Sequence, residues 1–195
     1  MTARGIFGGS FDPPHLGHIT IAEHFIEELG LDIVTWIPAN VPPHKDKDEL
    51  SESHHRLAMV KLAIANNPAF EVSDIEINED QPPWTIFLLR RFREMYPDDK
   101  LHLLIGGDSL AEFTTWRDYQ KLWEIAEIDV ALRPGWELFD TDPEVLENIR
   151  VIECPLIDIS GTEIRDRARR GESIQGLVPE SVREYIIENG LYSRW

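Results

Sequence analysis

Six short apolar runs separated by stretches with helical spacing restrict this chain to very few folds. The runs are Gly5–Phe7, Ile33–Ile37, Phe70–Ser73, Leu101–Ile105, Asp129–Leu132 and Val151–Glu153. Amphipathic patterns at His18–Leu29, His54–Asn66, Thr85–Tyr96 and Tyr119–Ile125 lie between them. Strands that alternate with helices pair in parallel through right-handed crossovers, and the helices cover both faces of the sheet. The expected class is therefore α/β, an open parallel sheet. From Thr162 onward the pattern is helical. A basic helix carrying Arg165, Arg167, Arg169 and Arg170 ends near Gly171, and a second, about 179–188, stops at Asn189-Gly190. No repeat, low-complexity tract or linker interrupts the chain, so 1–195 reads as a single domain whose C-terminal helical part begins near 160.

In such sheets, ligands sit outside the carboxyl ends of the strands, near the point where the strand order reverses. The loops that follow the first, second, fourth and last strands hold the unusual residues: Gly8–His18, Pro38–Lys45, Gly106–Trp116 and Ser160–Arg165. The segment Asn40–Ser53, polar and containing Pro42-Pro43, reads as a mobile loop over the second strand.

The net charge of −17 argues against a nucleic-acid surface, which needs a positive stripe to displace counterions. Any anion site must then be locally basic or rich in backbone N–H groups, with help from a divalent cation. One cysteine, Cys154, excludes an internal disulfide and fits a reducing compartment. Met1-Thr-Ala-Arg4 runs straight into the first strand, and no apolar run is long enough for a bilayer. A soluble, cytoplasmic protein with no membrane partner is expected.

The chemistry concentrates in Gly8-Gly-Ser-Phe-Asp-Pro-Pro-His-Leu-Gly-His18. A glycine turn between strand and helix is a place to hold phosphate, because backbone N–H groups and the helix dipole face it. Gly8 and Gly9 are expected to supply positive φ in that turn. His15 and His18, three apart, share a helix face, where imidazole N–H groups can donate to phosphate oxygens. Gly17 between them bares the backbone for a planar base. The spacing is neither G-x-G-x-x-G nor G-x-x-x-x-G-K-[ST], so neither the dinucleotide fingerprint nor the P-loop is supported. A zinc reading of the histidines lacks a second ligand pair at zinc spacing. Late in the chain, Ser160 and Thr162 open a helix with hydroxyl donors, and Arg165 can grip a polyphosphate bidentately.

These segments resemble the nucleotidylyltransferases with the H-x-G-H motif. Ile159-Ser-Gly-Thr-Glu-Ile-Arg165 is similar to their second signature, I-S-S-T-x-I-R, with Gly161 standing where the family has serine. Within that superfamily the chain resembles the bacterial nicotinate mononucleotide adenylyltransferases. Pro38-Ala-Asn-Val-Pro-Pro-His-Lys45, Trp84-Thr85, Ile105-Gly-Gly-Asp-Ser-Leu110 with Trp116, Leu132-Arg-Pro-Gly135, and Leu177-Val-Pro followed by Tyr185 and Gly190-Leu-Tyr192 match in order over nearly the whole length.

The resemblance implies a Rossmann-like sheet and transfer of AMP from ATP to nicotinate mononucleotide, giving nicotinate adenine dinucleotide and pyrophosphate in NAD biosynthesis, with Mg2+ accompanying ATP. It implies His15, His18 and Arg165 as catalytic residues on the phosphates. Gly8, Gly9, Ser10, Phe11, Gly17, Gly106, Asp108, Ser160 and Thr162 fall to ATP. His44, Lys45, Thr85, Trp116, Arg117 and Arg133 fall to the mononucleotide, with Trp116 stacking on the pyridine ring. Asp108 reads either as a ribose acceptor or as a helix cap, and Trp116 as a ring platform or a core residue. Sister activities on nicotinamide mononucleotide or phosphopantetheine, and a non-catalytic nucleotide-binding module, are the alternatives. A homo-oligomer is compatible with this reading.

Overall fold

The computed structural model describes residues 1–40, 50–78, 82, 84–132, 135, 138–139, 141–155 and 158–193. Its strands are β1 (Ala3–Gly9), β2 (Ile33–Pro38), β3 (Phe70–Val72), β4 (Lys100–Gly106), β5 (Glu127–Leu132) and β6 (Ile149–Glu153). The helices are α1 (Leu16–Leu29), α2 (Ser53–Ile64), α3 (Ile75–Asn78), α4 (Thr85–Met95), α5 (Gly107–Ala111), α6 (Pro143–Glu147), α7 (Gly161–Arg169) and α8 (Glu180–Glu188).

The six strands form one sheet in the order β3-β2-β1-β4-β5-β6, every neighbouring pair parallel. Chain order runs outward from β1 on one side and resumes at β4 on the other, so the strand order reverses between β1 and β4. Side chains alternate across the sheet as the pleat requires. Ile6, Leu103 and Val130 enter one apolar cluster with Ile86, Leu89 and Phe92 of α4. Phe7, Leu104 and Ala131 enter the other with Ala22 and Phe25 of α1 and Val60 of α2. Both faces are covered, which explains why the strands read as apolar runs and not as alternating patterns.

A third cluster joins the C-terminal part to the sheet. Met59 of α2 packs with Ile164 of α7, Ile174, Val178, and Val182 and Ile186 of α8. The Leu177 carbonyl accepts the Leu16 N–H at 3.0 Å, so the last segment occupies an orphan donor of the α1 N-terminus.

Two expectations need correction. The helix foreseen at Tyr119–Ile125 is a 3-10 turn at Tyr119–Lys121, preceded by another at Phe113–Thr115. Asp118 between them is left-handed (φ 52°), which interrupts any helix there, and Phe113 and Leu122 are nonetheless fully buried. The short α3 and α6 were not foreseen, because four or five residues are too few to display a period. No helix among the described residues is long and apolar enough to cross a membrane.

Candidate active site

β1 runs through Gly8 and Gly9, so these glycines lie in the strand and do not form the turn. The positive φ falls on Phe11 (47°). A Cβ on Gly8 or Gly106 would meet nothing within 4 Å, whereas one on Gly9 would come 3.0 Å from the Phe11 ring. Gly8 and Gly106 therefore leave open space at the carboxyl edge. Phe11 itself is 1% exposed and packs on Phe7 and Trp36. Its ring has no surface for a nucleotide and instead meets His18 edge-on, with centroids 5.1 Å apart.

His15 is the N-cap of α1, and its side chain and that of His18 cap each other's backbone. The His18 N–H donates to His15 Nδ1 at 3.4 Å, and the His15 N–H donates to His18 Nδ1 at 3.2 Å. This is a capping box in which histidines replace the usual Ser and Glu. The rings stack with centroids 3.6 Å apart. An acceptor nitrogen carries no proton, so each ring holds its proton on Nε2. Protonating Nδ1 would turn an acceptor into a donor and break the cap. Gly17, buried as the second residue of α1, sits between them.

Arg165 comes to the same place from the other end of the chain. Its Nη1 donates to the Asp12 carbonyl at 2.7 Å across 153 residues, and its Nη2 donates to Thr162 Oγ1 at 3.2 Å. Its Nε is buried without a hydrogen-bond partner among the described residues. Ser160 caps α7, its Oγ accepting the Glu163 N–H at 3.2 Å. A Cβ on Gly161 would lie 3.1 Å from the Asp12 carbonyl oxygen and 3.3 Å from Arg165 Nη1. The departure from serine thus has a steric counterpart: Gly161 lets α7 close on the turn that Arg165 grips.

Beside this cluster, at the point of strand reversal, lies a cleft of about 210 Å³. Gly8, Gly9, Ser10, Thr85, Gly106 and Trp116 line it, joined by Ala39, Glu76, Leu88 and Ser109. The half-buried Trp116 ring packs on Phe113 (5.2 Å) and also borders the cleft. Thr85 is the first residue of α4. Asp108 is exposed in the first turn of α5, whose N-cap is Gly106, so it is not the cap. The Arg117 side chain is largely exposed, its Cζ 5.0 Å from the Trp84 ring centroid, outside the residues that line the cleft. His44, Lys45 and Arg133 lie outside the described residues.

Two neighbours, Arg56 and Glu76, carry no motif, and a third, Asp12, lies in the first motif without an assigned role. Arg56 on α2 is 1% exposed and donates to the carbonyls of Ser10 (2.9 Å), Ala39 (2.6 Å), Asn40 (2.7 Å) and Ser51 (3.0 Å). Glu76 on α3 lines the cleft, and burial pushes its carboxyl up to about 7 even though the Asn40 N–H and Arg56 favour its charged form. Asp12, nearly buried, accepts the Tyr192 hydroxyl at 2.6 Å and the Ser51 N–H at 3.2 Å. Burial, followed by the Asp12 charge, raises the Tyr192 phenol well above its ordinary value, so it remains a donor.

The cytidylyltransferase-like family matches residues 6–167. A relative from Salinibacter ruber, "Probable nicotinate-nucleotide adenylyltransferase", is 43% identical over 188 residues, covering 96% of each chain. The Bacillus subtilis "Nicotinate-nucleotide adenylyltransferase" is 34% identical over 192 residues, covering 98% of this chain and 99% of that one. Among solved structures, Plasmodium falciparum nicotinic acid mononucleotide adenylyltransferase complexed with NaAD superposes with a TM-score of 0.80 at 20% identity, covering 98% of each chain. That likeness concerns the fold.

Proposed function

This chain belongs to the cytidylyltransferase-like family, and we propose that it works as its nicotinate-nucleotide adenylyltransferase relatives are named. It moves AMP from ATP onto nicotinate mononucleotide and releases pyrophosphate, a step of NAD biosynthesis. The observation that carries the reading is the meeting of two motifs 153 residues apart, Arg165 Nη1 on the Asp12 carbonyl just before His15. The tie between Leu177 and Leu16, and the packing of α8 on α2, support reading 1–195 as one catalytic unit.

The 5′-phosphate of the mononucleotide attacks the α-phosphorus of ATP in line. One P–O bond forms, the bond to the β-phosphate bridge breaks, and pyrophosphate leaves with that electron pair. The attacking oxygen is already ionised, so no general base is required. Cys154 offers no nucleophile: it is 4% exposed, and burial pushes its thiol up to about 11. Catalysis is then positioning and charge stabilisation. His18, with His15 beside it, presents Nε2–H to the α-phosphate, where charge grows. Arg165, Ser160 and Thr162 take the β- and γ-phosphates, and Gly8, Gly9 and Ser10 border the reacting centre. Gly106 and Asp108 are assigned to the ATP side, while Thr85, Trp116 and the backbone at Arg117 receive the nicotinate ring and its carboxylate.

The family uses divalent metal ions, and we assign Mg2+, entering as the ATP complex. The donor set fits an ion carried by substrate: Asp12 beside the turn already accepts from Tyr192 and Ser51, and Glu76 is raised toward its neutral form. Bound there, the ion neutralises phosphate charge that three side chains cannot cover alone. The His102, Glu127 and Asp129 cluster starts at the opposite, amino ends of β4 and β5, remote from this chemistry.

The test is release of pyrophosphate from ATP with nicotinate or nicotinamide mononucleotide side by side. A higher kcat/KM for the acid is expected, because backbone N–H groups reward a carboxylate and not an amide. Equal or reversed preference would overturn the substrate assignment. ATP turnover independent of either mononucleotide would overturn the reaction.

A further inference from the structure

The walls of the cleft are held by groups that no motif marks. We propose that Arg56 and Glu76 are positioning residues for the reaction, a clamp on the Asn40 peptide that sets the spacing between the turn after β1 and the segment after β2. The proposal rests on the function assigned above and deepens it.

The geometry is a two-sided grip. Arg56 Nη2 donates to the Asn40 carbonyl at 2.7 Å, and Glu76 stands close enough that the Asn40 N–H favours its charged form. The same guanidinium reaches the Ala39 and Ser10 carbonyls through Nη1 (2.6 and 2.9 Å) and the Ser51 carbonyl through Nε (3.0 Å). One planar fork thus joins the β1 turn, the end of β2 and the approach to α2. Lysine, a point donor, cannot reproduce four directed bonds. Ser10 and Ala39 line the cleft on either side of this fork, and so does Glu76. The titratable groups facing Arg56 are Asp12 on the β1 turn, Tyr192 at the C-terminus and Glu76 on α3.

Structural need alone does not account for Glu76. Burial works against its charge, and a glutamine of the same shape would sit there at lower cost. What the charge adds is attraction to Arg56 and to the Asn40 N–H at the edge of the substrate cleft. A shift of the Asn40 peptide would carry Ala39 with it, and misplacement by about 1 Å can lower turnover by about a hundredfold.

The experiment uses the whole chain with Arg56→Lys, Arg56→Met and Glu76→Gln. Steady-state kcat and KM for both nucleotides are measured, alongside amide hydrogen exchange over 8–12 and 36–40. All three variants are expected to lose kcat, about tenfold for Glu76→Gln and about a hundredfold for either Arg56 variant. Exchange in both segments should rise while exchange in β4 and β5 stays at the wild-type level. Kinetics unchanged in folded variants would overturn the proposal, as would unaltered exchange at 8–12 and 36–40. A wild type without mononucleotide-dependent pyrophosphate release would overturn the assigned function instead, and the exchange data alone would then decide the clamp.

Discussion

His18→Ala separates what the histidine pair does for the fold from what it does for the reaction. The substitution removes the acceptor for the His15 N–H (3.2 Å) and the edge contact with Phe11 (5.1 Å). The reciprocal bond from the His18 backbone to His15 Nδ1 survives, because it uses main chain. One net hydrogen bond is worth about 1 kcal/mol, and the ring contact about 0.5–1.5 kcal/mol. The loss is therefore about 2 kcal/mol, a fall of about 4–8 °C in Tm for a chain this size. A domain stable by about 5–15 kcal/mol stays folded at 25 °C under that loss. Removing one preorganised donor to growing charge lowers kcat by about 10²–10³. The assays are thermal unfolding by circular dichroism and pyrophosphate release at 25 °C. A folded variant with kcat within about threefold of wild type would refute the donor role. An unfolded one at 25 °C would refute the stability arithmetic.

Arg165→Lys keeps the charge but loses the fork that bonds Asp12 and Thr162 together, so kcat/KM for ATP should fall about tenfold to a hundredfold; a value equal to wild type would remove the bidentate argument. Glu76 gives a pH signature: its folded pKa, about 7 against 4.5, is raised, so the stability it contributes is complete below 4.5 and is lost as pH rises through 7. The stability advantage of Glu76→Gln over wild type in urea unfolding should therefore grow from pH 5 to pH 8, by up to about 3 kcal/mol; a constant difference would show that burial does not perturb this carboxyl. Gly161→Ala places a methyl 3.1 Å from the Asp12 carbonyl oxygen and should destabilise by about 1–3 kcal/mol in the same unfolding assay while raising KM for ATP.

The architecture was legible because both faces of the sheet are covered, which turns each strand into an apolar run that stands out from helical spacing. The residues assigned to the phosphates were legible because they lie in two continuous motifs, Gly8–His18 and Ser160–Arg165. Within those motifs, the sequence misled twice. Gly8 and Gly9 suggested a turn with positive φ, yet they end a strand and Phe11 takes the left-handed backbone. The resemblance assigned Phe11 to ATP, yet its ring is core. A motif records which residues recur together, not which of them faces the ligand.

Arg56 and Glu76 had no local signal. An arginine in a helix reads as solvated surface unless its carbonyl partners are known, and those of Arg56 come from three separate segments. The histidine pair shows the division most plainly. Spacing put His15 and His18 on one face, while the mutual caps that hold the proton on Nε2 emerged only from the backbone at the start of α1.

By itself the order of residues decided the class of fold and the edge of the sheet where chemistry collects, because hydrophobic period and glycine–histidine spacing are local properties of the chain. Tertiary structure alone decided which side chains meet there, which nitrogen keeps a proton and which carboxyl is pushed toward neutrality. Those depend on burial and on partners far away in sequence, and no local pattern encodes them.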